Sequence, residues 1–271
     1  MTREIPPMKP KKAPQNSKKQ KFSGLTALVT GSNSGIGLAI AREFLTVGYD
    51  VILTGRSPFD ADSVLTGELK DLDSRRYTHV QADVSDENDR RRLADCAWNW
   101  RGRLDVLVNC AGADILTGKT KKLSFEEKLH LLWSVDVLGT VGLCRDLGDR
   151  MKAQGSGSII NIGWDGARRG LAGDSSELFA LAKGAVESFS LSLAQTLAPE
   201  VRVNVIAPGW IQTKWGTGAP ALWQEKIRRQ TLSSRWGTPE EIASVAAFLA
   251  SPAAGYVNGQ IIDVNGGFAV K

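Results

Sequence analysis

From residue 24 onward, short runs rich in β-branched residues alternate with longer stretches whose apolar positions recur every three or four residues. Leu25–Thr30, Asp50–Thr54, Tyr77–Gln81, Leu104–Asn109, Ser158–Ile162, Arg202–Ala207 and Gln260–Val264 read as strands. Gly35–Val47, Asp86–Trp100, a long stretch over Phe125–Met151, Ser176–Leu197 and Pro239–Leu249 read as helices. This alternation predicts an α/β fold, with a parallel sheet covered by helices on both faces. Right-handed crossovers make it a doubly wound, Rossmann-type sheet in a single domain. The segment 212–236, with Trp215, Trp223 and Trp236, shows no regular pattern and reads as a lid over a ligand site.

The 271 residues, 42% of them hydrophobic, suit one compact domain with a large core. The net charge of +5 is uneven: residues 1–21 hold seven basic residues and one acid, leaving the rest near neutral. With Pro6, Pro7, Pro10 and Pro14 and few large apolar residues, residues 1–22 read as a disordered, solvated basic tail ahead of a folded unit over 23–271. The alternative for the tail is a nuclear-localisation or acidic-partner arm. Because the basic charge belongs to the tail, it gives no reason to expect a nucleic-acid groove. No stretch has the apolar core of a signal peptide or the length to span a bilayer, so no membrane partner is expected. Cys96, Cys110 and Cys144 are far apart, which points to a reducing, cytoplasmic setting without a disulfide frame. His79 and His130 are isolated from one another and from any metal-ligand spacing, so no metal is expected.

Thr30-Gly31-Ser32-Asn33-Ser34-Gly35-Ile36-Gly37 joins the first strand to the first helix. Glycines at such a junction let the backbone approach a pyrophosphate, and the helix N-terminus offers free N–H groups to the anion. The second strand ends in Arg56 and Ser57, where an NAD site would carry an acid for the ribose 2′-hydroxyl. A guanidinium and a hydroxyl suit a 2′-phosphate, so NADPH/NADP+ is the expected cofactor; the alternative is a plain surface arginine. Asp83 and Val84 can meet the adenine. Asn109-Cys110-Ala111-Gly112 closes the fourth strand against the cofactor. Pro208-Gly209-Trp210-Ile211-Gln212-Thr213 follows the sixth strand, with Ile211 and Thr213 toward the nicotinamide.

With these motifs, Lys183, the run Arg235–Glu241 and Gly266-Gly267, the chain resembles the short-chain dehydrogenases/reductases over residues 24–268. The resemblance implies a seven-stranded sheet in the order 3-2-1-4-5-6-7, a nicotinamide cofactor and a homo-oligomer, dimer or tetramer. It also implies a proton-transfer set of Asn, Ser, Tyr and Lys, and here the chain departs. Asp136 stands for the Asn, Trp164 for the Ser and Phe179 for the Tyr; Lys183 alone is kept. The three tyrosines, Tyr49, Tyr77 and Tyr256, all lie outside the relevant helix, and Ser175 and Ser176 read as shaping the start of that helix.

Reducing a ketone leaves an alkoxide that needs a proton donor; adding hydride to a cationic C=N bond leaves a neutral amine and needs none. The expected acceptor is therefore an iminium. Asp165 is expected to serve as its counter-ion or proton carrier, the alternative being a loop carboxylate paired with Arg168 or Arg169. Asp136 is expected either to act with Lys183 or only to pair with it. Trp164, Trp210 and Trp215, with Phe179, are expected to wall the substrate site, although each tryptophan could equally be packing. The Gly163-Trp164-Asp165 replacement resembles the fungal reductase/Diels–Alderases of prenylated indole alkaloid biosynthesis, of the malbrancheamide and paraherquamide type. That resemblance implies an indole alkaloid substrate and NADPH-dependent reduction coupled to an intramolecular [4+2] cycloaddition. The rival expectations are an atypical ketone or alcohol oxidoreductase, and a non-catalytic NADPH-binding protein.

Overall fold

The computed structural model describes residues 22–58, 64–213 and 221–268. Seven strands form one parallel sheet: β1 (Thr26–Thr30), β2 (Asp50–Gly55), β3 (Tyr77–Gln81), β4 (Val106–Asn109), β5 (Gly157–Ile162), β6 (Val201–Pro208) and β7 (Ile261–Val264), in the order β3-β2-β1-β4-β5-β6-β7. The order reverses between β1 and β4, which opens a crevice at the carboxyl ends of those strands. Thr30 braces the crevice: its hydroxyl oxygen accepts from the N–H groups of Cys110 and Ala111, both at 3.0 Å.

Side-chain alternation splits the core in two. Ala27 and Val29 of β1 and Val51 and Leu53 of β2 pack with Ile40 and Phe44 of α1 (Gly35–Val47) and with a C-terminal helix over Pro239–Ala250. On the opposite face Leu28 and Ile52 pack with Leu93 and Ala97 of a helix over Glu87–Arg101, and with Leu143, Leu147 and Met151 of another over Gly139–Gln154. Two helix starts are written in the local sequence as capping boxes, Ser124 with Glu127 and Thr238 with Glu241.

In chain order the helices after α1 are α2 (Val64–Leu69), α3 (Glu87–Arg101), α4 (Phe125–Leu132), α5 (Gly139–Gln154), α6 (Gly166–Arg169), α7 (Asp174–Leu197), α8 (Ala221–Gln230) and α9 (Pro239–Ala250). Several differ from expectation, α2 and α6 having not been expected at all. The stretch read as one helix over Phe125–Met151 is interrupted by a π-helical segment, Trp133–Leu138, between α4 and α5. This wider turn carries Asp136. The segment 212–236 is not wholly irregular, because it contains α8, and α7 starts two residues before the expected Ser176. The tail to residue 21 lies outside the described residues. Phe22, placed in the tail by composition, instead packs its ring 5.1 Å from that of Tyr49.

A buried polar chain ties β4 and β5 to α7. Asn109 Nδ2 donates to Asn161 Oδ1 at 2.8 Å, Asn161 Nδ2 donates to Ser190 Oγ at 2.8 Å, and Ser190 Oγ donates to the Val186 carbonyl at 2.6 Å. Replacing Asn161 leaves buried donors without partners, so Asn161→Ala is expected to cost about 1–3 kcal/mol. Urea unfolding followed by tryptophan fluorescence measures this, and an unchanged midpoint would show the chain to be dispensable.

Candidate active site

The phosphate-type loop lies in the crevice between β1 and β4. Gly31 takes a φ of +65°, and a Cβ on it would stand 2.8 Å from Ala111 Cα. A Cβ on Gly37 would stand 2.4 Å from the Gly31 carbonyl oxygen. Only glycine lets α1 start this close to the turn. Ser34 precedes α1 in extended conformation and makes no side-chain cap, so the first N–H groups of the helix remain available to an anion. A cleft of about 420 Å³ follows, lined by Gly31, Asn33, Ser34, Ile36, Gly37, Arg56, Ser57, Asp83, Val84, Ala111 and Gly112, among others. Its glycine floor and uncapped helix start fit a dinucleotide pyrophosphate. Arg56 is exposed and forms no ion pair among the described residues. Asp83 Oδ1 accepts from the amide and hydroxyl of Ser85, which fixes that carboxylate at the rim.

Several residues expected at the cofactor sit elsewhere. Ser32 is fully buried, and its hydroxyl oxygen accepts from the Thr54 amide at 2.9 Å, so it pins the loop to β2. The Asn109 side chain belongs to the buried chain beneath the sheet and not to the cleft lining. Pro208, Gly209 and Ile211 line the neighbouring cavity, whereas Thr213 borders both spaces. Gly35, with φ +56°, opens α1 without lining the cleft. His79 has Nε2 3.1 Å from Asn33 Oδ1, and burial lowers its pKa. Cys110 faces the cleft, but burial raises its thiol to about 12, so it is no ready nucleophile.

The second cavity, about 650 Å³, meets the first at Ile36, Ile162 and Thr213. Its walls include Trp164, Phe179, Trp210 and Trp223. Trp164 and Phe179 meet edge to face with centroids 6.3 Å apart, and Trp210 meets Trp223 similarly at 5.5 Å. Gly166 makes room for this wall, since a Cβ there would fall 2.4 Å from the Trp164 ring. Lys183 lines the cavity too, one helical turn after Phe179. Its Nζ lies 2.9 Å from Asp136 Oδ2 and donates to the Ile162 carbonyl at 3.1 Å. Asp136, 1% exposed, also accepts from the Ala113 amide at 2.8 Å. Asp136 is thus buried and Lys183 partly buried, their charges offset each other, and the pair is clamped to β5 and to the loop after β4.

Asp165 is not among the cavity-lining residues. It is 6% exposed; Oδ2 pairs with Arg169 and accepts from Asn265 Nδ2 at 3.0 Å. Burial raises its pKa, against the opposing pull of Asn265 and Arg169. The expectation of a counter-ion at the substrate is therefore corrected: this carboxylate already has its cation and holds the loop after β5 to the end of β7. Beside it Arg168 pairs with the buried Glu187 at 3.3 Å and with Asp263. Trp215 lies outside the described residues.

The cavity also contains residues the sequence did not single out. Lys128 and Leu116 contribute to one wall, and Ala172–Ser176 contribute the start of α7. Ser175 and Ser176 do not cap α7; its N-cap is Gly173, without a side-chain bond, and both serines fall in the first turn. Among the described residues, no group of three or more His, Cys, Asp or Glu side chains could hold a metal, and no helix is long and apolar enough to cross a membrane.

The family model described as enoyl-(acyl carrier protein) reductase matches residues 31–269. A 3-oxoacyl-(acyl-carrier-protein) reductase from Aquifex aeolicus is 34% identical, the alignment covering 91% of this chain and 98% of that protein. A short-chain dehydrogenase/reductase structure from Brucella melitensis, described as a glucose/ribitol dehydrogenase, superposes with a TM-score of 0.81 at 32% identity, covering 93% of this chain and 99% of that one. A gluconate 5-dehydrogenase from Burkholderia cenocepacia, solved with NADP and tartrate, gives a TM-score of 0.78 at 28% identity, covering 92% and 96%.

Removing the Asp165 carboxylate leaves Arg169 and Asn265 without their partner. Asp165→Ala is expected to lower stability by about 1–3 kcal/mol in chemical denaturation. An unchanged unfolding midpoint together with lost turnover would instead return Asp165 to the chemistry.

Proposed function

The chain belongs to the short-chain dehydrogenase/reductase family, and from that premise we propose that it is an NADPH-dependent reductase of a C=N bond that arrives already cationic. The observation that carries this reading is the environment of Lys183. Its ammonium has three donors, of which Asp136 and the Ile162 carbonyl take two. The position one turn earlier, where a phenol would stand, holds the Phe179 ring against Trp164. Neither ring can deliver a proton to an oxyanion.

When bound, NADPH supplies a hydride from C4 of its nicotinamide. Lys183 keeps one donor for the nicotinamide ribose. Asp136 cancels the charge of Lys183, so the cavity floor does not repel a cationic substrate. The faces of Trp164, Phe179 and Trp210 attract such a cation and orient a planar aromatic body. Arg56 and Ser57 support NADPH over NADH, because a guanidinium that forms no ion pair among the described residues at this rim suits a phosphate. A coupled [4+2] closure of a prenylated indole, as the sequence resemblance implies, is the finer form of this proposal. Only confinement between aromatic walls serves it. The partly exposed Trp133, Leu138, Leu181 and Leu191 support a homo-oligomer.

A second reading, carbonyl reduction with an unusual donor, is favoured by Ser175 and Ser176, which line the cavity, and by the activity for which the Aquifex aeolicus relative is named.

Arg56→Ala is expected to weaken NADPH binding by about 1.5–3 kcal/mol, roughly 10- to 100-fold, while NADH binding stays unchanged. Equal losses for both cofactors would remove the 2′-phosphate assignment. For the reaction, single-turnover mixing with NADPH compares an N-methyl-dihydro-β-carbolinium with the ring-matched ketone tetrahydrocarbazol-1-one. The iminium is expected to react at least about 100-fold faster, since a missing general acid costs 10²–10⁴-fold or so. Phe179→Tyr is expected to leave the iminium rate within about threefold and to raise ketone reduction. Comparable rates for ketone and iminium in the parent protein would favour the second reading.

A further inference from the structure

Three charged side chains line the substrate cavity among the described residues: Lys128, Asp174 and Lys183. Lys183 is neutralised by Asp136. Lys128 is half-buried on α4, and its side chain forms no hydrogen bond or ion pair among the described residues. Its backbone is held firmly, since it donates to the carbonyl of Ser124, the residue that opens the capping box of α4. A lysine on a cavity wall whose ammonium has no partner among the described residues can offer its charge to a bound anion, which would supply that partner.

We infer that Lys128 is the anion-recognising residue of the substrate cavity, and that the aromatic substrate carries a carboxylate. This deepens the reductase proposal and rests on it in taking the cavity as the substrate's. A monoanion fits better than a phosphate dianion. Lys128 is the cavity's one cation without a partner among the described residues, and the exposed Asp174 stands on the same wall system, where it would repel excess negative charge. The first turn of the 24-residue α7, uncapped by any side chain and carrying Ser175 and Ser176, adds neutral donors beside it. Lys128 and Asp174 together match a zwitterion, an iminium that also bears a carboxylate.

The test uses calorimetric titration of the NADP+-saturated protein with indole-3-acetate and with indole-3-acetamide, which share shape and differ in charge. The acetate is expected to bind about tenfold tighter or more. Lys128→Met is expected to abolish that difference, both probes then binding like the amide, and Lys128→Arg to retain it. Equal binding of the two probes to the parent protein would overturn the inference. So would an equal loss for both probes in Lys128→Met. The reductase reading fails separately: a protein that prefers the acetate yet consumes no iminium keeps the anion subsite and loses the proposed reaction. One that reduces a neutral-bodied iminium without preferring the acetate does the reverse.

Discussion

The ion pair between the partly buried Lys183 and the buried Asp136 is the constraint around which the rest of the site is arranged. An ammonium partly buried in a cavity wall is tolerable only if its charge is met nearby, because removing its partner leaves an uncompensated charge. Asp136 meets it at 2.9 Å and is itself fixed by the Ala113 amide at the end of β4. The π-helical turn Trp133–Leu138 brings Asp136 to that point. From this arrangement follow the offset charge of Lys183 and the single donor left on its ammonium.

Much of the scaffold was legible because its signals are local. Glycines at 31, 35 and 37, flanked by a strand and a helix, have one common use, and the bounds of α1 and β3 agree with the apolar pattern residue for residue. The π-helical turn was not legible, since an extra residue in one turn barely alters a helical pattern. Asp165 was half legible: Arg169 lies four residues on, within reach on one helix face, but Asn265 is 100 residues away and joins it only through the order of β5, β6 and β7. Asn109 and Ser32 carried motif positions correctly while their side chains point into buried networks, a distinction that depends on sheet facing. Lys128 resembles any helix-surface lysine until the fold places it in the lining of the same cavity as Lys183.

The comparisons and the site carry different kinds of information. Relatives at about one-third identity across nine-tenths of the chain share the scaffold and are named for carbonyl reduction or alcohol oxidation. A scaffold of this kind hosts many reactions, and the chemistry resides in a few side chains. Against the pattern that the sequence resemblance implies, the chain carries Asp136, Trp164 and Phe179 in place of Asn, Ser and Tyr, and it keeps Lys183. Trp164 and Phe179 interlock, and Gly166 is cut back to admit them, so the altered positions form a packed unit of their own. The anion-recognising role of Lys128 extends that unit to its rim.

The central claim is that hydride transfer in this cavity needs no proton from the protein. The solvent deuterium isotope effect on single-turnover reduction of a fixed-charge iminium addresses it without reference to any one residue. The account expects a value of about 1, because no solvent-derived proton moves with the hydride. A value of about 2 or more, with a linear dependence on deuterium fraction, would reveal one proton in flight and contradict the account.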